Sequence, residues 1–339
     1  MKSTTVLRMV VSLSLLALLA SCAPTFSSNS ADSYQNSKSD QSNIIGGETA
    51  DAAYQLANGV VGIMDLNKGA LCTGSLIARN LVLTAAHCVN TFSAKAMVVF
   101  FTPNMTQSIK MTNGKLLLNK NTVRQVAQAV RNSKYNPQSD SMTESTNDIA
   151  LLRLVADAPA EIQTAALPPA GLALKQGDMV SLAGYGVSQF KMDPSTGEAL
   201  LSKGSGLLRK ADDIKVQTVL PSGEEVTFDQ SQGRGACHGD SGGPAYLKVA
   251  ATETTPAATY VVGVTSRGPG DCNEIAVYSS TIGQAKWIAA TSAVLLKAAA
   301  TDAKSAQVVA SAATSSSTAS EDEPILPSVG GSILKPILK

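Results

Sequence analysis

Apolar residues along this chain come in short runs. Leu81-Val82-Leu83, Ile149-Ala150-Leu151-Leu152 and Tyr260-Val261-Val262-Gly263-Val264 are a few residues long, partly β-branched and bounded by turn formers. Such runs read as strands, and strands at this spacing predict an all-β body. Two stretches break the pattern. Val10 to Ala20 is a continuous apolar run behind Lys2 and Arg8, too short to span a bilayer comfortably, and reads as an export signal. Trp287, Ile288, Leu295 and Leu296 recur at a spacing that suits a helix. Residues 24–43, rich in Ser, Asn, Asp and Gln, read as a solvated tether and propeptide. Past residue 300 the chain turns Ala/Ser-rich, then acidic at Ser320-Glu321-Asp322-Glu323, and reads as a disordered tail, removable or partner-binding in the sharper version.

A chain of 339 residues has room for more than one core. Its 27 basic and 26 acidic residues give no net charge to draw it to nucleic acid or anionic lipid. Leu19-Ala20-Ser21-Cys22 looks like a bacterial lipobox, which implies a lipid-modified Cys22 as the first mature residue. Ordinary cleavage after Ala23 is the other reading, since Ser21-Cys22-Ala23 is also a small-x-small site. No Asp follows the cysteine, so an exported envelope lipoprotein is expected, at the outer membrane if the organism is Gram-negative, or else a secreted protein. Membrane contact would run only through the anchor at Cys22. The other four cysteines, Cys72, Cys88, Cys237 and Cys272, admit three pairings. Zinc is a poor alternative: there is no C-x-x-C and there are only two histidines. No cofactor and no metal are expected.

The most telling segment is Gly239-Asp240-Ser241-Gly242-Gly243-Pro244. A serine between glycines can present its hydroxyl on a tight turn that approaches a substrate closely. Thr84-Ala85-Ala86-His87-Cys88 and Asn147-Asp148-Ile149-Ala150 precede it, giving the order His, Asp, Ser. Acyl transfer near neutral pH needs a base of imidazole's pKa, which points to His87. Asp148 heads an apolar strand, so its carboxylate is drawn inward and needs a donor such as an imidazole N–H.

With these motifs, and with Ile44-Ile45-Gly46-Gly47, Cys72-Thr73-Gly74-Ser75 and Gly184-Tyr185-Gly186, the chain resembles the trypsin/chymotrypsin family of serine endopeptidases from Ile44 to about residue 298. The resemblance implies two packed six-stranded antiparallel β-barrels with a C-terminal helix and a site in the cleft between them. With the segments read above, the chain divides into a signal peptide with lipobox (1–21), a tether and propeptide (22–43), a first barrel (44–165), a second barrel with its helix (166–298) and a low-complexity tail (299–339). It implies Ser241 as nucleophile, His87 as base, Asp148 as its partner, Ser266 as a further donor to Asp148, and the amides of Gly239 and Ser241 as the oxyanion hole. It pairs Cys72 with Cys88 and Cys237 with Cys272. The first bridge closes a loop of about 15 residues, worth roughly 3 kcal/mol in chain-entropy models.

The resemblance also implies a zymogen, in which cleavage before Ile44 frees an α-amine that pairs with Asp240. Asn43 precedes the cut, where trypsin-like activators prefer Lys or Arg, so the activating protease is unidentified. Gly235 falls at the base of the primary pocket and Gly268 and Ala276 on its walls, which implies preference for a large apolar residue. Arg234 is expected to face solvent and His238 to sit at the rim. Arg267 replaces a tryptophan common after the serine matching Ser266, which puts an apolar shelf in doubt. Thr73 replaces a common glycine, with little expected consequence. No acid lies between Phe92 and Ser139, so an acidic calcium loop is not expected there. Protein or peptide substrates and a monomeric state are expected. The rival from another class is a non-catalytic binding lipoprotein on a protease-like body, because fold does not guarantee activity.

Overall fold

Among the described residues, strands account for nearly all the regular structure until the final helix. The computed structural model describes residues 44–313 except positions 92, 140, 142, 194 and 252–255, and describes only the backbone of 304–313. The signal, the lipobox with Cys22, the tether, Asn43 and the tail past 313 lie outside the described residues.

In chain order the elements begin with β1 (Glu48–Thr49), α1 (Ala52–Asn58), β2 (Val60–Asp65), β3 (Ala70–Ala78), β4 (Leu81–Thr84) and β5 (Met97–Phe100). A hairpin of β6 (Ile109–Thr112) and β7 (Lys115–Leu118) follows, then β8 (Val123–Arg131) and β9 (Ala150–Leu154). These build a closed antiparallel barrel in the order β2-β3-β4-β9-β8-β5. The second half contains β10 (Met179–Gly184), the hairpin β11 (Gln189–Met192) and β12 (Ala199–Lys203), β13 (Arg209–Val219), β14 (Glu225–Asp229), β15 (Pro244–Val249), β16 (Ala258–Arg267) and β17 (Ile275–Ser280). Their order is β13-β10-β15-β16-β17-β14, and β14 returns to pair with β13, so this barrel also closes with six strands. β1 pairs along the other side of β13. Helix α2 (Ala285–Ala313) ends the described chain.

The unbroken apolar runs in the sequence have a direct explanation. Side chains alternate across a strand. In β4, Val82 points into the first barrel with Val61, Ile63, Val99 and Leu152, whereas Leu81 and Leu83 join the layer between the barrels. β9 does the same, with Leu151 facing outward to that layer and Leu152 and Leu154 facing in. A strand buried on both faces has no polar side to display. The second barrel packs Val180, Leu182, Ile214, Phe228 and Tyr278 in its own core.

Helix α2 packs Ile288 and Leu295 against the layer between the barrels. It runs to Ala313, well past position 298, because alanine is the best helix former and the Ala-rich composition carries the helix onward. Leu296 is exposed, unlike its neighbour Leu295. Among the described residues no helix is long and apolar enough to cross a membrane.

Candidate active site

Two disulfides flank the site, Cys72–Cys88 and Cys237–Cys272. The pairing is the one the family resemblance implies. The two groupings of cysteine with histidine, around His87 and His238, thus offer bridged sulfurs and no thiolates, which removes the zinc option at both.

His87 lies three residues after β4 and Asp148 two residues before β9, the strand paired with β4, so the ladder brings the two together. Asp148 is 3% exposed, and its carboxylate is held at both oxygens. The His87 ring donates from Nδ1 to Oδ2 at 2.7 Å, while the His87 backbone N–H donates to Oδ1 at 2.9 Å. Ser266 Oγ donates to Oδ2 at 2.7 Å, and Ser279 Oγ donates to the Asp148 carbonyl at 2.8 Å. Both serines belong to the second barrel. Asn147 turns the chain into this position with φ of 52°, a left-handed conformation that asparagine tolerates, and its side chain accepts from Gln284 at the foot of α2.

Burial pulls the His87 imidazole toward a lower pKa, but the charge and hydrogen bond of Asp148 more than offset this, and the net direction is upward. For Asp148, burial favours the neutral acid. The His87 charge and the donated hydrogen bonds outweigh it and hold the carboxyl below its ordinary value. With Nδ1–H given to Asp148, Nε2 is left as the acceptor on the exposed side of a ring that is one-third accessible.

Ser241 stands on the turn before β15. Its carbonyl accepts from Thr73 N–H at 2.8 Å and lies 3.6 Å from Cys88 Sγ, which sets the turn beside the His87 segment. Glycine is required at 242: φ is 81°, and a Cβ there would meet Thr84 Oγ1 at 2.0 Å. The peptide joining His238 to Gly239 is fixed by Val187 N–H, which donates to the His238 carbonyl at 2.9 Å. In a planar trans peptide the Gly239 N–H must then point the opposite way. The Asp240 N–H is occupied by the Cys237 carbonyl. Among the described residues the N–H groups of Gly239 and Ser241 have no acceptor. Two unpaired donors therefore flank a paired one.

Asp240 turns inward and is almost fully buried. Its carboxylate accepts from Gly186 N–H at 2.8 Å and Cys237 N–H at 2.9 Å. Burial pushes its carboxyl up to about 6, against the pull of those amides and of Arg209. Ile44 is buried in the second-barrel core, and Ile45 bridges to Gly235. The carboxylate hydrogen bonds of Asp240 go to Gly186 and Cys237 rather than to Ile44.

Of the positions expected to line a primary pocket, Gly268 and Ala276 adjoin: a Cβ on Gly268 would lie 3.7 Å from Ala276 Cα. Gly235 connects to this wall through Gln230, whose backbone donates to Glu274 O and whose amide donates to the carbonyls of Ala236 and Cys272. Gln230 fills the space a side chain at 235 would need, 2.2 Å from a notional Cβ. Arg234 reaches away to the Asp212 carbonyl. His238 Nε2–H donates to the Gly270 carbonyl at 3.0 Å, and the ring packs edge-on against Phe190.

The family model described as Trypsin matches residues 44–288. The chain belongs to the trypsin family. Over 176 residues, 52% of this chain, it is 29% identical to serine protease SP24D of Anopheles gambiae. It is 28% identical to cathepsin G of Mus musculus over 64% of its length, and 29% identical to urokinase-type plasminogen activator of Gallus gallus over 75%. The matched stretch spans 58% of the first and third of these relatives and 73% of the second.

Two departures from the trypsin family's usual residues prove structural. Thr73 is completely buried and bridges two turns, accepting from Tyr185 N–H at 3.0 Å and donating to Gly239 O at 2.9 Å. This corrects the expectation of little consequence. Arg267 forms a two-pronged pair with the buried Glu225, at 2.9 and 2.8 Å. Glu225 in turn accepts from the N–H and hydroxyl of Thr146, two residues before Asp148. The position of the shelf thus carries an ion pair that ties the second barrel to the loop leading into Asp148. Glu225→Ala is expected to destabilise the fold by about 3 kcal/mol, because the partly buried Arg267 and the Thr146 N–H both lose their acceptor. The double replacement Arg267→Met with Glu225→Leu should lie much closer to wild type, and urea unfolding of the three proteins checks both values.

Proposed function

We propose that the processed chain is a serine endopeptidase that cleaves peptide bonds through an acyl-enzyme. Ser241 Oγ attacks the scissile carbonyl carbon while its proton passes to His87 Nε2. The Gly239 and Ser241 amides receive the oxyanion, and His87 returns the proton to the leaving amine. Water then repeats the sequence on the ester, regenerating the hydroxyl. Asp148 fixes the imidazole tautomer and steadies the imidazolium, and Ser266 holds Asp148. The observation that carries this reading is the pair of unpaired N–H donors at 239 and 241 on the same turn as the serine, beside a histidine whose Nδ1 is already committed to a buried carboxylate.

A chain made as a zymogen, activated by cleavage before Ile44, fits the state of Asp240. A fully buried carboxyl raised to about 6 lacks a full counter-charge in the uncut chain, and an α-amine at Ile44 would supply one. A pocket lined by Gly235, Gly268 and Ala276, with the neutral Gln230 behind it, favours a large apolar side chain before the cut. An activating protease, export and a lipid anchor at Cys22 belong to the same proposal.

A fluorophosphonate separates this reading from a non-catalytic binding lipoprotein. The processed protein should be labelled at Ser241 and the Ser241→Ala protein should not; absence of labelling in both would leave a binding scaffold. A peptide library cut consistently after Lys or Arg would overturn the pocket assignment.

A further inference from the structure

Arg209 opens β13 and is among the largest fully buried side chains of the protein, 2% exposed. A guanidinium so placed is costly unless its N–H groups are used. No carboxylate among the described residues lies within ion-pair distance of it. Instead Nη1 is shared among three backbone carbonyls, those of Gly186 at 3.1 Å, Leu207 at 3.3 Å and Gly204.

The Gly186 carbonyl is the informative contact. The same residue gives its N–H to Asp240 Oδ1 at 2.8 Å, and the next residue, Val187, gives its N–H to the His238 carbonyl at 2.9 Å. Gly186 also packs directly beneath Gly239, since a Cβ on Gly239 would come within 2.8 Å of Gly186 Cα. The 186–187 segment is therefore the template on which the 238–240 turn is laid. Its outer side is held by Arg209.

We propose that Arg209 is a positioning residue for the oxyanion turn, acting through Gly186 and Val187 to aim the Gly239 N–H. The proposal rests on the reading of Gly239 as an oxyanion donor. Arg209 also bears on the charge of Asp240, lowering the carboxyl's tendency to hold a proton. Among the described residues the other titratable group that faces Asp240 is the buried Tyr278 phenol, which burial keeps neutral, and processing would add the Ile44 α-amine.

The test compares Arg209→Met and Arg209→Lys with wild type, all processed, using an amide substrate with an apolar residue before the cut. Fluorophosphonate labelling of wild type is read first: if wild type is not labelled, the parent reading fails, independently of Arg209. Given labelling, the Met variant is expected to lose roughly 10–100-fold in kcat, short of or equal to deletion of one oxyanion donor, with KM within about twofold. Below the His87 step, a second acid limb of its kcat profile, that of Asp240, should move to higher pH, because Asp240 without that cation protonates more readily. The Lys variant should recover kcat and return the limb toward wild type. A folded Met variant with unchanged kcat and limb overturns the proposal. So does a Lys variant no better than Met, with kcat falling only in step with thermal stability and the limb unmoved. If the Met variant does not fold, Arg209→Gln takes its place with the same two readouts: loss of kcat at unchanged KM with the limb moved to higher pH supports the proposal, and unchanged kcat and limb overturn it.

Discussion

Ser241→Ala and His87→Ala should each lower kcat on peptide substrates by roughly 10⁶-fold, and the double variant should lose little more. The two residues act as a unit in the proposed mechanism. Without the hydroxyl there is no acyl acceptor for His87 to activate, and without the imidazole the hydroxyl stays protonated. The turn is held by backbone contacts, namely Thr73 N–H on the Ser241 carbonyl and Thr265 O on Gly242 N–H, and Ser241→Ala keeps all of them. KM and thermal stability should therefore stay near wild type, and steady-state kinetics beside a melting curve would show it. Additive losses in the double variant would mean the two side chains act separately.

The second large effect is at Asp148. Asp148→Asn should lower kcat by about 10⁴-fold, because the amide no longer dictates which imidazole nitrogen carries the proton. The pH dependence provides the sharper check. In the wild type Asp148 holds the imidazole above its ordinary value of 6.5, so activity should rise with pH through a point above 6.5 as His87 loses its proton. Removing the negative charge leaves burial as the main influence, and burial favours neutral imidazole. The acid limb of the residual activity should thus shift to lower pH while the plateau falls. A pH–rate profile of the variant measures both. An unmoved limb would indicate that His87 is not the titrating base.

Much of this architecture is legible along the chain. Leu81-Val82-Leu83 and Ile149-Ala150-Leu151-Leu152 announce strands because both their faces are buried, and His87 and Asp148 sit at the ends of those two strands. The serine turn is recognisable because close packing leaves no room for a side chain at Gly242 or Gly243. What escaped reading depends on partners far away in sequence. Thr73 looks like an incidental replacement until Gly239, 166 positions later, is found on its hydroxyl. Glu225 and Thr146 are 79 positions apart, and nothing local marks Glu225 as the carboxylate that receives Arg267. A signal did exist there, since Glu225 begins the otherwise apolar and β-branched run Glu225-Val226-Thr227-Phe228, where an acid needs a compensating donor. Arg209 carries the same mark, an arginine directly after Leu207-Leu208 at a strand's start. The extent of α2 was hidden for a different reason: alanine favours a helix but contributes no apolar stripe, so periodicity fades before the helix ends.

Most directly at issue is whether Ser241 becomes acylated during turnover. The processed protein, mixed with an ester of a large apolar amino acid and quenched in acid within the first turnover, can be digested and weighed. The mechanism predicts one added acyl group on the peptide containing Ser241, formed in a burst and absent from Ser241→Ala. Turnover without any adduct on that peptide, or an adduct that persists in Ser241→Ala, would contradict it.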